Sequence, residues 1–215
     1  NVNLKWETIA QTNVGVDFGV WNNRLSGTFD VYEKKTTDLF QSVPISLVNA
    51  TSQIQANSGS MTNKGVEGLL RYTILDKNDL RISVNANGAY NDNKVLSVPG
   101  TTGESFGGGS TIITEGEKRG DYYLVPYAGV NPANGNPLFV SADGSLSETF
   151  SDADRRITDK SALPTWQGGF GTDIRYKGFE FTTQFVWFAD VWLNNLDRAS
   201  LDDTSGSFYN GRNRS

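Results

Sequence analysis

Among the side chains able to do chemistry, the carboxylates come first. Asp17, Asp30 and Glu67 share the polar parity of alternating segments, and paired carboxylates on one surface are the apparatus of glycoside hydrolysis. Nothing in their spacing sets the separation that such chemistry needs, so they read as a wet surface rather than as acid and base. Asp143, Asp152, Asp154 and Asp159 offer oxygen ligands of the kind calcium takes, but without the Asp-x-Asp-x-Asp-Gly order of an EF-hand. A solvated loop in which Arg155 and Arg156 pair with them is the preferred reading. Gly107-Gly108-Gly109 has no following Lys-Ser/Thr and no strand-to-helix context, so it is a loop tip rather than a phosphate cradle. The 215 residues include 0 His and 0 Cys, which excludes imidazole and thiolate chemistry within the chain. The residues predict no enzyme, no metal and no cofactor. What remains is aromatic: Tyr122, Tyr123, Tyr127 and Phe139 fall in one region, where rings could stack on sugar faces, anchor a partner, or pack the loop upon itself. These four are the candidate ligand or partner contacts.

The elements that must position them alternate between apolar and polar residues. Three pairs of such runs stand out: residues 13–20 with 25–32, 66–74 with 80–91, and 166–176 with 179–188. Within the second pair, Leu80, Ile82, Val84, Ala86, Gly88 and Tyr90 share one parity; Arg81, Ser83, Asn85, Asn87 and Asn91 share the other. Successive strand side chains point to opposite faces, so each run has an oily and a wet side. Each pair is joined by a very short turn: Trp21-Asn22-Asn23-Arg24, residues 75–79, or Lys177-Gly178. The pairs themselves are separated by the long polar stretches 33–65 and 92–165. Short turns on one side and long loops on the other describe an outer-membrane β-barrel. A soluble sandwich has the same period, and pattern alone does not separate the two. Inside the second long stretch, Asn134-Gly135 and Asp143-Gly144 flank Leu138-Phe139-Val140 and predict a small hairpin.

Large aromatics favour the membrane. Trp21, Tyr72 and Tyr176 lie beside the short turns; Tyr32, Tyr90, Trp166 and Trp187 lie beside the long loops. Two such rows match the girdles that mark both membrane interfaces of a barrel, although Trp and Tyr are also common in ordinary strands. No apolar run approaches the roughly 18 residues of a helical span. The net charge of −5 argues against nucleic acid as a partner. The start, Asn1-Val2-Asn3-Leu4, carries no signal segment, and the last residues, Arg212-Asn213-Arg214-Ser215, read as loop. About six strands cannot close a lipid-compatible barrel, which needs at least about eight. The expectation is a piece of a larger protein that, expressed alone, aggregates without detergent.

The motifs point the same way. Asn3-Leu4-Lys5-Trp6-Glu7-Thr8, then Gln11-Thr12-Asn13-Val14-Gly15-Val16-Asp17 and Asn23-Arg24-Leu25-Ser26-Gly27-Thr28, resemble the SusC/RagA family of TonB-dependent outer-membrane transporters of Bacteroidetes. Asp30-Val31-Tyr32-Glu33-Lys34-Lys35-Thr36-Thr37-Asp38-Leu39 follows the family's Asp-Tyr-Tyr-x-Lys-x-Thr-x-Asp-Leu, and Asn63-Lys64-Gly65-Val66-Glu67 continues it. Gly129-Val130-Asn131-Pro132-Ala133-Asn134-Gly135-Asn136-Pro137 resembles a Gly-x-Asp-Pro-x-Thr-Gly-x-Pro element, with Asn131 where the family usually has Asp. Ser151-Asp152-Ala153-Asp154-Arg155 and Tyr176-Lys177-Gly178-Phe179-Glu180 extend the likeness to almost the whole chain.

This resemblance implies an all-β, antiparallel transmembrane barrel segment, about six strands from the carboxy-terminal part of a barrel of about 22. Residues 1–215 would form one partial barrel, with the plug domain and the final strand outside the chain. It further implies the outer membrane of a Gram-negative bacterium, contact with its lipid, a SusD-like surface lipoprotein as partner, and the TonB complex acting through the missing amino-terminal part. The ligand would be a glycan or a peptide. Residues 36–62, 95–162 and 190–215 would face the exterior; 21–24, 75–79 and 177–178 would face the periplasm. A secreted all-β carbohydrate-binding module is the competing reading, and it requires a second sheet to bury the apolar face.

Overall fold

The computed structural model describes residues 4–44, 53–98 and 110–195. Thr8–Val20 (β1) and Leu25–Thr37 (β2) form the first long hairpin, and Phe40–Pro44 (β3) pairs with Gln53–Asn57 (β4) beyond it. Ser60–Lys77 (β5) and Leu80–Ser97 (β6) form the second long hairpin. Six short strands follow: Thr111–Ile112 (β7), Asp121–Leu124 (β8), Tyr127–Val130 (β9), Pro137–Val140 (β10), Leu146–Ser147 (β11) and Arg156–Ser161 (β12). Trp166–Tyr176 (β13) and Phe179–Ala189 (β14) close the described chain. The six long strands make one antiparallel sheet in the order β1-β2-β5-β6-β13-β14, while the short ones make separate sheets β3-β4, β12-β8-β7 and β11-β10-β9.

The tight turns all lie at one end of the sheet and the long excursions at the other. Trp21, Asn22 and Asn23 take φ of 55°, 54° and 60°, a left-handed run that the two Asn residues tolerate well. Trp21 is 68 % exposed and belongs to this turn rather than to a strand. Nearby, β5 bulges between Thr73 and Leu75. The Arg24 guanidinium donates to the carbonyls of Thr73 and Ile74, at 3.4 and 2.8 Å, and so occupies acceptors that the irregular ladder leaves open.

Register sorts the side chains into two faces. Val16, Phe29, Gly68, Gly88, Gly168 and Trp187 form one row across the six strands; Phe18, Gly27, Leu70, Ala86, Phe170 and Phe185 form the next. Among the described residues no second sheet covers this apolar face: Val16 is 60 %, Phe170 51 % and Phe181 60 % exposed. Phe170 and Phe185 stack at 5.0 Å, and Tyr90 meets Trp166 at 4.7 Å.

The apolar face has a definite height. Tyr90 and Trp166 are paired at its upper limit, and Leu80, Tyr176 and Phe179 share a row at its lower limit. The ten residue steps of β6 from Leu80 to Tyr90 span about 33 Å along the strand, or about 25 Å once tilted as in a barrel, which is the height of a barrel's apolar band. Above Tyr90 the same face becomes charged, with Glu33, Lys64 and Asp92 in one row and a 3.0 Å ion pair between Lys64 and Glu33.

Tyr32 requires a correction. It does not belong to the aromatic rows of the apolar face, because its parity is that of Thr28 and Asp30, and it pairs with Asn13 and Gly65. Its ring lies over Gly65, where a Cβ would stand 2.6 Å from the phenol Cζ and 2.4 Å from the Tyr90 carbonyl oxygen. The hydroxyl reaches across to donate to Asn91 Oδ1 at 3.0 Å. Gly65→Ala should therefore lower the unfolding free energy of the complete protein by about 1–3 kcal/mol through overpacking, and Tyr32→Phe by about 1 kcal/mol through the lost hydrogen bond. Urea titration in detergent measures both; an unchanged midpoint for Gly65→Ala would show that Tyr32 does not need that glycine.

Candidate functional site

The polar face gathers the charged and amide side chains of the six-stranded sheet. Gly15, Asp30, Glu67, Ala89, Gln167 and Phe188 form one row, and Asp17, Thr28, Leu69, Asn87, Gly169 and Val186 the next. Asp30 and Glu67 are directly opposed across β2 and β5. Like charges facing each other across a ladder are destabilising unless a third group balances them. A hollow of about 490 Å³ opens over these rows, with carboxylates at one side, the amides of Asn87, Gln167 and Gln184 in its middle, and Val186 and Phe188 at the far side. Lower down, the face pairs its own charges: Arg175 meets Glu180 at 2.9 Å, and Thr182 donates to Asp173 at 3.0 Å.

The four aromatic candidates separate into two places. Tyr122 and Tyr123 are neighbours on β8, so they point to opposite sides of the β12-β8-β7 sheet. Tyr122 is only 8 % exposed and donates its hydroxyl to the Trp192 carbonyl at 2.9 Å. Burial and that bond make it a packing residue, which withdraws it from the ligand candidates. Tyr123 is half-buried. Tyr127 and Phe139 belong to the β11-β10-β9 sheet and meet edge to face at 6.2 Å, with Phe150 a further 5.5 Å from Phe139. Tyr127 is 60 % exposed and remains accessible.

The hairpin expected around Leu138-Phe139-Val140 is present. Gly135 and Gly144 supply its positive φ values, 81° and 86°. Sequence reasoning missed its organising residue. The Glu148 carboxylate accepts hydrogen bonds from the side-chain amides of Asn131, Asn134 and Asn136, at 2.5, 2.8 and 2.7 Å. An Asp at 131 would set a second carboxylate against Glu148, so the Asn131 departure from the family element is matched by its partner. Three of the four loop carboxylates considered for calcium are occupied in the same local way. Asp143 accepts from Ser145, Asp152 from Arg155, and Asp154 from the Ala142 N–H. Among the described residues, no three such groups gather where an ion could be held.

The known proteins with this architecture decide the family. A family model described as "TonB dependent receptor-like, beta-barrel" matches residues 1–214. The chain belongs to that family. It is similar to TonB-dependent receptor P3 of Formosa agariphila, with 31 % identity over 96 % of this chain and 22 % of that protein. TonB-dependent receptor SusC of Bacteroides thetaiotaomicron is 29 % identical over 98 % of this chain and 22 % of its own length. The RagAB peptide transporter superposes with a TM-score of 0.85 at 30 % identity, covering 95 % of this chain and 23 % of that one. The RagAB peptide importer in its closed-closed state gives 0.86 at 29 %, covering 96 % and 24 %. The chain thus spans about a fifth of the curated relatives it matches, with 22 % of each covered. In this TonB-dependent receptor-like chain the six-stranded sheet is an open sector of barrel, with β1 and β14 at its edges.

Hydrogen bonds from Asn136, Asn134 and Asn131, in that order, hold the Glu148 carboxyl below the ordinary carboxylate range. A depressed folded-state value stabilises the loop above the unfolded value of about 4.3, and that support is lost as pH falls through the folded one. Amide exchange in residues 127–147 should stay protected at pH 5 and lose protection as Glu148 protonates at lower pH. In Glu148→Gln, protection should already be reduced at pH 7. Identical exchange in the two proteins at pH 7 would remove Glu148 as the organiser.

Proposed function

We propose that this chain forms a wall sector and the extracellular loops of an outer-membrane nutrient importer of the SusC type. The observation that carries the reading is the change along β5 and β6: about 25 Å of apolar face, then charged rows as the same strands continue. Lipid would lie against the apolar face, with Tyr72, Tyr90, Trp166, Tyr176 and Trp187 at or near its margins and Trp21 in the turn below. The polar face, with Asp17, Asp30, Glu67, Asn87 and Gln167, would line the conduit.

The remaining length of such a receptor would supply the plug and the other strands. Ligand, a glycan or a peptide, would be caught beneath a SusD-like lipoprotein, and TonB would drive displacement of the plug. Tyr123, Tyr127 and Phe139 are the loop rings offered to ligand or lipoprotein. The chain performs no chemistry on what it carries, and membership in a receptor family supports that assignment.

Orientation and lipid contact are each measurable in the intact receptor. A tag inserted after Gly144 should be labelled by antibody on whole cells, whereas one at Asn22 should need permeabilised cells; the reverse pattern would invert the sector. Val84→Arg, halfway down the apolar face, should cost about 2–4 kcal/mol in bilayers, and Asn85→Arg on the opposite face about 0.5 kcal/mol. Equal costs would mean that the apolar face does not meet lipid.

A further inference from the structure

A pocket of about 350 Å³ opens on the polar-face side of the sheet above the Tyr32 row, apart from the hollow over Asp30 and Glu67. β1 contributes Ile9, β5 contributes Met61 and β6 contributes Val95, which is 3 % exposed. Leu39, Phe40 and Ile113 complete an apolar lining. Two cations, Lys34 and Arg119, stand in the same lining, and no carboxylate among the described residues pairs with either. Glu7 also borders the pocket, but its Oε1 accepts the Phe40 N–H at 2.9 Å.

The placement of these cations is built into the ladder. Lys34 is opposite Asn63, and Asn63 is opposite Asn93. Asn93 donates to Asn63 Oδ1 at 2.8 Å and accepts the Arg119 N–H at 2.9 Å. The Arg119 bond is made by its backbone N–H, so the two Asn side chains tie the Arg119 segment to the strands that carry Lys34, and both cationic side chains border the pocket. An apolar pocket with a few convergent charged groups is the ordinary form of a small-ligand site. Glu7 keeps its negative charge, so the lining carries one cation in excess, and a polyhydroxylated sugar would leave both that charge and the apolar walls unmatched. An apolar group carrying a carboxylate matches both.

We propose that this pocket binds the carboxy-terminal residue of a short peptide, its side chain against Ile9, Met61 and Val95 and its carboxylate between Lys34 and Arg119. Asp30 lies four residues along β2 from Lys34, about 13 Å at strand spacing, with Glu67 beside it. An extended peptide of four residues spans about that length, so its ammonium end reaches the two opposed carboxylates. The inference deepens the import reading and rests on it, by naming the ligand class of the conduit.

The test is calorimetric titration of the full-length receptor in detergent with the tetrapeptide Ala-Ala-Ala-Leu, its carboxy-terminal amide, its amino-acetylated form, laurate and maltotriose. The free peptide should bind, the amide about tenfold or more weakly, and maltotriose not at all. Lys34→Gln and Arg119→Gln should each weaken the free peptide about tenfold and leave the amide unchanged. Acetylation should weaken binding in the wild type but not in Asp30→Asn/Glu67→Gln. Equal affinity for free peptide and amide overturns the proposal without needing any variant. Laurate binding with the same dependence on Lys34 and Arg119 replaces the peptide with a fatty acid. Cell-surface tagging reports on the import reading separately: a correctly oriented receptor with no preference for the free carboxylate keeps that reading and loses this one.

Discussion

A backbone amide inside hydrocarbon has no water to bond, so its partner must come from the neighbouring strand. The rest of this molecule depends on that constraint. β2, β5, β6 and β13 have both edges paired, and the ladder runs without interruption through the centre of the apolar face. Irregularities are confined to its ends, between Ser60 and Met61 and between Thr73 and Leu75, and Arg24 takes up the loose carbonyls of the second. Continuous pairing also dictates the faces, because a slip of one residue in any strand would exchange its oily and wet sides. The row from Val16 to Trp187 and the row from Gly15 to Phe188 are two consequences of one register.

Glycine allows large rings to lie flat on that ladder. Tyr32 covers Gly65 on the polar face, and Trp187 covers Gly168 on the apolar one, where an added Cβ would be 2.7 Å from the indole. A ring over a bare stretch of backbone shields the adjacent hydrogen bonds and adds packing that the glycine itself cannot supply. The same device therefore serves the apolar face and the polar one alike.

The strands were legible in the sequence wherever the two faces meet different media. Residues 166–176 coincide with β13, and the turn-proximal ends of β2 and β6 begin where alternation begins, at Leu25 and Leu80. The upper ends were not legible: β1 starts five residues before Asn13, β5 six before Val66, and β6 runs six beyond Asn91. Above Tyr90 both faces carry polar residues such as Lys64, Asn63, Asp92 and Asn93, so period two has no contrast to display. Tyr32 lies near a strand end as the other large aromatics do, but its parity sets it on the polar face. The hairpin at Leu138 was visible through its glycines, whereas Glu148 was not, since nothing local says which carboxylate three distant amides will share.

That division has a physical consequence for specificity. In a barrel wall alternate residues of each strand face lipid, which leaves only every second position to meet a ligand. Above the band the outer face is released from lipid, and extra segments can lean on the sheet. There the loop around Glu117 bonds to Val95, and the β12-β8-β7 sheet fixes Tyr122 against Trp192. Val95 and Ile112, at 3 % and 1 % exposure, are buried only because these loops fold over the strands. Enclosed volume with mixed chemistry therefore arises at the junction of wall and loop, where Lys34 from a strand and Arg119 from a loop border one apolar pocket. An open wall of alternating residues can conduct a ligand, but to discriminate among ligands it must be joined to something that folds back upon it.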